Sequence, residues 1–392
     1  MALVRRLLLL ISAIMFVDTT FYAVVAPLLP HYADDLGLSK ASAGMLLAAY
    51  PAGTLAGSLP SGVLAMRVGP RRTVLTGLAL LVVSSLGFAF AHSVVLLDAA
   101  RFVQGVGGAC SWAGGLAWLV SSAPADRRGS VIGTALGAAI GGALLGPVLG
   151  AAAAAIGTGP VFGGVAAVAA ALALAAEAEP GGHSSAEAGA TVRQTFAAPR
   201  VRAGMWLVAL PGLGFGVVDV LVPLRLDHLG VAQAGVAAAF LVSAAGETIV
   251  SPVAGRLSDR RGASVPIRLG LLVSAGLTLV LPLAGAPLLT GALLVATTAS
   301  LGMFWAPAMS LLSDAAEAVG AQQGLAFGLI NLAWALGMVV GAAGGGAMAK
   351  ATSDAAPYGM VAGLLVATLL VVVRRPAVLA GVKGGEPSAL VT

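Results

Sequence analysis

Apolar residues fill this chain in long, nearly uninterrupted stretches, and short polar segments part them. A run of roughly 17–25 such residues, wound at about 1.5 Å per residue, is long enough to cross a bilayer. Twelve runs of this kind follow one another: Leu7–Leu29, Ala41–Leu64, Thr73–Ala91, Val94–Ser122, Ser130–Ile156, Val161–Ala176, Ala203–Leu224, Gln233–Ala254, Ser264–Ala284, Leu288–Leu312, Gly324–Ala349 and Tyr358–Val373. Lipid offers the backbone no hydrogen-bond partner, so every run is predicted to be a helix. The first run follows Arg5 and Arg6, as the core of a signal peptide would. It is too long for one and ends in Pro27 and Pro30 without small residues for cleavage, so a retained first helix is expected.

The runs also repeat. Displaced by 193 residues, the chain matches itself: Pro30 meets Pro223, Asp34 meets Asp227, Gly53 meets Gly246, Gly62 meets Gly255, Arg67 meets Arg260 and Gly69 meets Gly262. A displacement of 195 continues the match, from Gly107 with Gly302 to Gly133, Gly142, Gly146 and Gly150 with Gly328, Gly337, Gly341 and Gly345. Two copies of a six-helix unit, with a site between them, are the signature of a secondary transporter. The expected fold is therefore an all-α membrane protein, twelve transmembrane helices in two pseudo-symmetric six-helix bundles. The bundles span residues 1–176 and 203–375, with a polar, mobile linker at 177–202 and a tail at 376–392.

Composition agrees. The chain is 59% hydrophobic and 9% charged, with mean hydropathy +0.99, whereas soluble domains carry about 25% charge. The net charge of +5 sorts by topology. With both termini inside, Arg5, Arg6, Arg67, Arg71, Arg72, Arg127, Arg128, Arg193, Arg200, Arg202, Arg256, Arg260, Arg261, Arg268, Arg374, Arg375 and Lys383 are cytoplasmic; Lys40, Arg225 and Lys350 are outside. This is the positive-inside bias of a multi-pass protein of the cell membrane, not a nucleic-acid surface. The single Cys110 lies mid-helix, expected as a small packing residue. All four histidines fall in loops or at helix ends, and metal, phosphate-loop and nucleophile motifs are missing, so a pump or protease lacks its parts. No metal or cofactor is expected, and the chain is read as a monomer.

The loop after the second run reads GVLAMRVGPRR from Gly62 to Arg72, and its duplicate reads GRLSDRRG from Gly255 to Gly262. This resembles the loop motif of the major facilitator superfamily, with Gly62, Arg67, Gly69 and Arg71 in one half and Gly255, Asp259, Arg260 and Gly262 in the other. Met66 stands where that motif has its aspartate. The resemblance implies a latch between cytoplasmic helix ends, weakened here in the first half and carried more by Asp259. The fifth run carries Gly133, Gly142, Gly146, Pro147 and Gly150, which looks like the antiporter signature of the superfamily's drug:proton exporters, with Ala151 in place of a second glycine. Four-residue glycine spacing also serves plain helix packing. The fourth run reads Arg101-Phe-Val-Gln104-Gly105, similar to a superfamily motif tied to proton transfer. Asp98, one turn away, is the local candidate partner of Arg101.

Charges inside such runs are costly and mark function or paired packing. Asp18 lies roughly 16 Å into a core about 30 Å thick, and Asp18-to-Pro30 resembles the first helix of drug exporters and vesicular amine transporters. Asp18, Arg101, Glu247 and Asp219 are the candidate residues for proton and substrate coupling, although Asp219 alternatively reaches the outer interface. Tyr22, Phe21, Gln104, Trp112, Trp118, Phe215, Phe304, Trp305, Asn331 and Trp334 are candidates to line a cavity or to pack. The exporter resemblance implies a proton-coupled antiporter of a small amphiphilic or cationic molecule, its partners being substrate, protons and bilayer. Export or import of a sugar, amino acid or other metabolite, and a non-transporting membrane sensor, are the alternatives.

Overall fold

The computed structural model describes residues 2–123, 128–181, 191–321 and 323–375; Arg127, His183, Lys383 and the tail at 376–392 lie outside them. The described residues form helices and turns only. The first crossing is α1 (Ala2–Ala23) with α2 (Val25–Leu36), followed by α3 (Lys40–Val68), α4 (Pro70–Ala89), α5 (Val94–Ser122), α6 (Arg128–Ile156) and α7 (Thr158–Ala178). After a short α8 (Val192–Ala197) come α9 (Pro199–His228), α10 (Gln233–Arg261), α11 (Ser264–Val280), α12 (Pro287–Glu317), α13 (Gln323–Val339), α14 (Gly345–Ala351) and α15 (Ala355–Arg374). A five-residue π-helical segment, Val340–Gly344, joins α13 to α14 in one crossing. Eleven crossings are long and apolar enough to span a membrane. The twelfth, α3, is equally long but diluted by Gly, Ser and Pro, and much of it is buried among other helices.

The helices outrun the apolar stretches, because a helix ends where its backbone is capped rather than where hydrophobicity fades. Ser39 and Ser93 start α3 and α5 by accepting from the amides of Ser42 and Leu96. Contrary to expectation, Pro27 and Pro30 do not end the first crossing; the chain breaks at Val24 and continues as α2 to Leu36, capped by Gly37. Pro27 falls in the first turn of α2, where its missing N–H leaves no bond unmade. Nor is the linker wholly irregular: Thr191 and Gln194 cap α8 reciprocally, and α9 already starts at Pro199. Gly69 (φ 91°) and Gly262 (φ 81°), equivalent residues of the two repeats, turn the chain between α3 and α4 and between α10 and α11 in a conformation that favours glycine.

The buried apolar residues of the two halves form one continuous core. In the first half, Phe21, Phe88 and Phe162 cluster with ring centroids 5.2–5.3 Å apart. The halves meet most closely at the face opposite the one where α1 begins and α15 ends, called here the far face. There a Cβ on Gly44 would overlap the Ala342 carbonyl oxygen, and one on Gly346 the Lys40 carbonyl oxygen, so α3 and α14 touch backbone to backbone. Lys40 is paired with Asp354, and Gln233 donates to the Pro27 carbonyl. Among the described residues, these two side-chain hydrogen bonds joining the halves both lie at the far face. Toward the opposite, terminal face, Gly62, Gly133, Gly255 and Gly328 have no neighbour within 4 Å of a notional Cβ.

Candidate functional site

Asp18 of α1 is almost wholly buried, at 2% exposure. Its Oδ2 accepts from Trp112 Nε1 at 3.0 Å and from the Tyr50 hydroxyl at 3.3 Å. Gly108 on α5 leaves the room: a Cβ there would stand 3.2 Å from both carboxylate oxygens. The carboxylate is thus held by three helices of a single half.

Arg101 of α5 is 1% exposed and caps the broken first helix. Nη1 donates to the Phe21 carbonyl (3.2 Å) and to Gln104 Oε1 (2.7 Å), and Nη2 to the Tyr22 carbonyl (2.7 Å). The break at Val24 frees carbonyls at the C-terminal end of α1, where the helix dipole is negative and attracts a cation. The guanidinium also lies 5.4 Å from the Tyr22 ring centroid and 5.0 Å from that of Tyr50. Asp98 is not its partner, contrary to the expectation from spacing, and Asp98 Oδ1 has no hydrogen-bond partner among the described residues. Arg101 turns inward to backbone oxygens, which no side-chain pattern reveals.

The second half contributes Asp219 from α9 and Glu247 from α10, both half-buried. Glu247 lies against α12 beside Thr298, with its Cγ 3.7 Å from a notional Cβ on Gly302. Asp219 has no donor within hydrogen-bond distance among the described residues. The charges of Asp219, Glu247 and Arg101 all bear on Tyr22. The Tyr22 ring touches Tyr50 (centroids 4.8 Å) in its own half and Trp334 (5.6 Å) in the other. Two acids and one arginine therefore bear on an aromatic side chain that bridges the halves, and Asp18 is linked to it through Tyr50.

Not all candidate lining residues reach that space. Phe21, Trp118 and Phe304 are core residues, and Gln104 is fully buried against Arg101. Tyr22, Trp112, Phe215, Trp305, Asn331 and Trp334 keep partial exposure, with Phe215 and Trp305 6.5 Å apart. Tyr50 was not expected from the sequence. Its place in the repeat is taken by Ser243, one turn before Glu247, but the partners differ: Tyr50 donates to Asp18 of α1. Ser243 bonds Thr298 at 2.6 Å.

The glycines of α6 divide. A Cβ on Gly133 meets nothing, one on Gly142 would overlap the Phe16 carbonyl oxygen, one on Gly146 would overlap Ala23, and one on Gly150 would stand 2.9 Å from the Val24 oxygen. The second half repeats this: Gly328 is open, Gly337 meets the equivalent Ala209 and Gly345 the equivalent Val217. Pro147 sits within α6. The motif is thus a seat for α1–α2, and its copy is a seat for α9.

At the terminal face Arg67 and Arg260 are exposed, and Gly255 and Gly262 have open surroundings. Arg71 donates to the carbonyls of Glu177 (3.1 Å) and Glu179 (3.0 Å), with the Glu177 carboxylate at 3.7 Å, so it is engaged within its own half. Met66 is 57% exposed. The Asp259 side chain lies outside the described part of α10. A carboxylate at position 66 would stand among Arg67, Arg71 and Arg72. Met66→Asp is expected to favour closure of the terminal face, lowering thiol labelling of a cysteine placed at Val63 about two- to fivefold, as a pair of exposed charges permits.

The sequence profile of the Major Facilitator Superfamily matches residues 10–325 and 212–391. A chloramphenicol resistance protein of Streptomyces lividans is 31% identical over 268 residues, 64% of this chain and 67% of that protein. The multidrug resistance protein MdtL of Escherichia coli is 33% identical over 104 residues, covering 26% of this chain and only 27% of that protein. Among solved structures, a D-xylose-proton symporter superposes with TM-score 0.77 at 15% identity, covering 94% of this chain and 97% of that one.

Proposed function

The chain belongs to the Major Facilitator Superfamily and is a multi-pass membrane transporter rather than an enzyme; we propose that it expels a small amphiphilic or cationic compound in exchange for protons, by alternating access. The observation that carries this is the set of Asp219, Glu247 and Arg101 about Tyr22 at the junction of the halves, with Asp18 joined to it through Tyr50. Resistance proteins among the relatives support the efflux direction. The terminal face, rich in arginine, is cytoplasmic in this reading, and the cell membrane is the site of action. The far-face closure is then the state that receives cargo from inside.

The geometry divides the acids. Asp18 is fixed by donors of its own half, so its surroundings travel with it when the halves rock. Asp219 lies within the field of Arg101, and both Asp219 and Glu247 act on Tyr22 of the other half, so their surroundings change with the conformation. A group that is better solvated or better paired in one state couples its protonation to the equilibrium between states. Coupling is therefore assigned to Asp219 and Glu247, with Asp18 as the anchor of the aromatic wall.

The test is reconstitution in liposomes with an imposed pH gradient, using chloramphenicol, tetraphenylphosphonium and xylose as probes. Wild type is expected to move protons against chloramphenicol or the cation and not against xylose. Asp219→Asn and Glu247→Gln are expected to lose proton movement at least about tenfold, the effect of removing roughly 1.4 kcal/mol of coupling. Asp18→Asn, whose amide oxygen still accepts from Trp112 and Tyr50, is expected to slow transport while keeping it proton-linked. Movement of xylose alone, or uncoupling by Asp18→Asn only, overturns the reading.

A further inference from the structure

Lys40 and Gln233 are equivalent residues, 193 apart, and each is the first residue of the second membrane helix of its half. Each reaches into the other half at the far face: Lys40 to Asp354, Gln233 to the carbonyl of Pro27. One position of the repeat thus supplies a cross-half donor twice. The backbones beside them are not equivalent. Gly44 and Gly346 bring α3 and α14 into direct contact, whereas the corresponding residues of α10 and α6 are Ala237 and Ala151.

Asp354 has a second basic neighbour. It lines a small cavity with Arg225, Thr290 and Tyr358, all of its own half. Arg225 uses Nη2 on the Ala284 carbonyl at 2.9 Å, and its Nε has no partner. When the far face opens, Lys40 must leave with the first half, while Arg225 remains beside Asp354.

We propose that Lys40 and Gln233 form a two-point clasp that holds the far face shut, and that Asp354 exchanges Lys40 for Arg225 when it opens. The clasp lets go without stranding a bare carboxylate at a half-buried site. The exchange makes opening easier, because a charge left unpaired there would penalise the open state. This inference is independent of cargo and of the coupling ion.

The test uses the full chain in lipid nanodiscs with Cys110→Ser, and spin labels on Val95→Cys and Leu288→Cys. These are the second residues of α5 and α12, at the far face of opposite halves, and are 79% and 87% exposed. Electron–electron distance distributions read the ratio of open to closed far face. Lys40→Ala is expected to raise that ratio about two- to fivefold, and Gln233→Ala about two- to tenfold. Arg225→Gln should lower it, the opposite sign. Salt should raise the ratio in Arg225→Gln, where only the closed-state pair with Lys40 remains, and lower it in Lys40→Ala, where only the open-state pair with Arg225 remains. The charge-reversed pair, Lys40→Asp with Asp354→Lys, should return it toward the wild-type value. An unchanged distribution in the Lys40→Ala, Gln233→Ala double variant overturns the clasp. A rise on Arg225→Gln overturns the exchange, and failure of the reversed pair to restore closure overturns the ion pair's part in it.

Discussion

Arg101→Ala is expected to abolish transport and to destabilise the protein by at least about 1–3 kcal/mol, the cost of leaving a buried hydrogen-bonding group unsatisfied. The guanidinium is buried and donates to two backbone carbonyls and one amide oxygen at once. Its removal leaves the Phe21 and Tyr22 carbonyls facing a void in an apolar bundle, and it leaves Tyr22 and Tyr50 without the cation that lies over them. Arg101→Lys keeps the charge but not the planar fork, so it can serve only part of this set. It is expected to fold, with thermal stability between wild type and Arg101→Ala and transport reduced at least about tenfold, since one lost charge-assisted bond is worth about 1.5–3 kcal/mol. Thermal unfolding in detergent and uptake into proteoliposomes measure the two effects. Arg101→Ala transport within about threefold of wild type would exclude the capping role, because that is under 1 kcal/mol.

The second large effect separates glycines that look alike. Gly142→Ala and Gly337→Ala each place a methyl group on a backbone carbonyl of the neighbouring helix, that of Phe16 or of Ala209. A carbonyl cannot rotate aside as a side chain can, so the helices must part, and overpacking costs typically 1–3 kcal/mol. Both are expected at the upper end, near 3 kcal/mol, with loss of transport because α1 and α9 carry Asp18 and Asp219. Gly133→Ala and Gly328→Ala meet nothing and gain helix propensity, about 0.8–1 kcal/mol per residue. They are expected to be neutral or stabilising. A melting series of the four variants checks this; similar losses at all four positions would show that the seating contacts do not govern stability.

How much of this was legible in the chain can be judged from these residues. The twelve crossings and their duplication were readable, because lipid demands helices and the repeat preserves its glycines at fixed offsets. That Arg101 turns inward was readable from the cost of a charge in lipid. Its partners were not: spacing pointed to Asp98, while the true acceptors are main-chain oxygens exposed by the break at Val24, and every residue has such an oxygen. Tyr50 went unnoticed because tyrosine in an apolar run is unremarkable until Asp18 is seen to accept from it. Lys40 and Gln233 were readable only as a loop charge and a polar residue, since their role depends on what the other half brings opposite them. Gln104 pointed to a cavity wall by its polarity, yet that polarity is spent on Arg101.

The capped break in the first crossing also bears on how the chain is made. Phe21 and its donor Arg101 are 80 residues apart. As the chain emerges from its N-terminus, α1 enters the membrane long before α5 exists, and its two exposed carbonyls then lack their acceptor bonds in hydrocarbon. The donors for these carbonyls come only with the fourth crossing. The first half thus carries a contact, spanning 80 residues of sequence, that no chain ending before α5 can make.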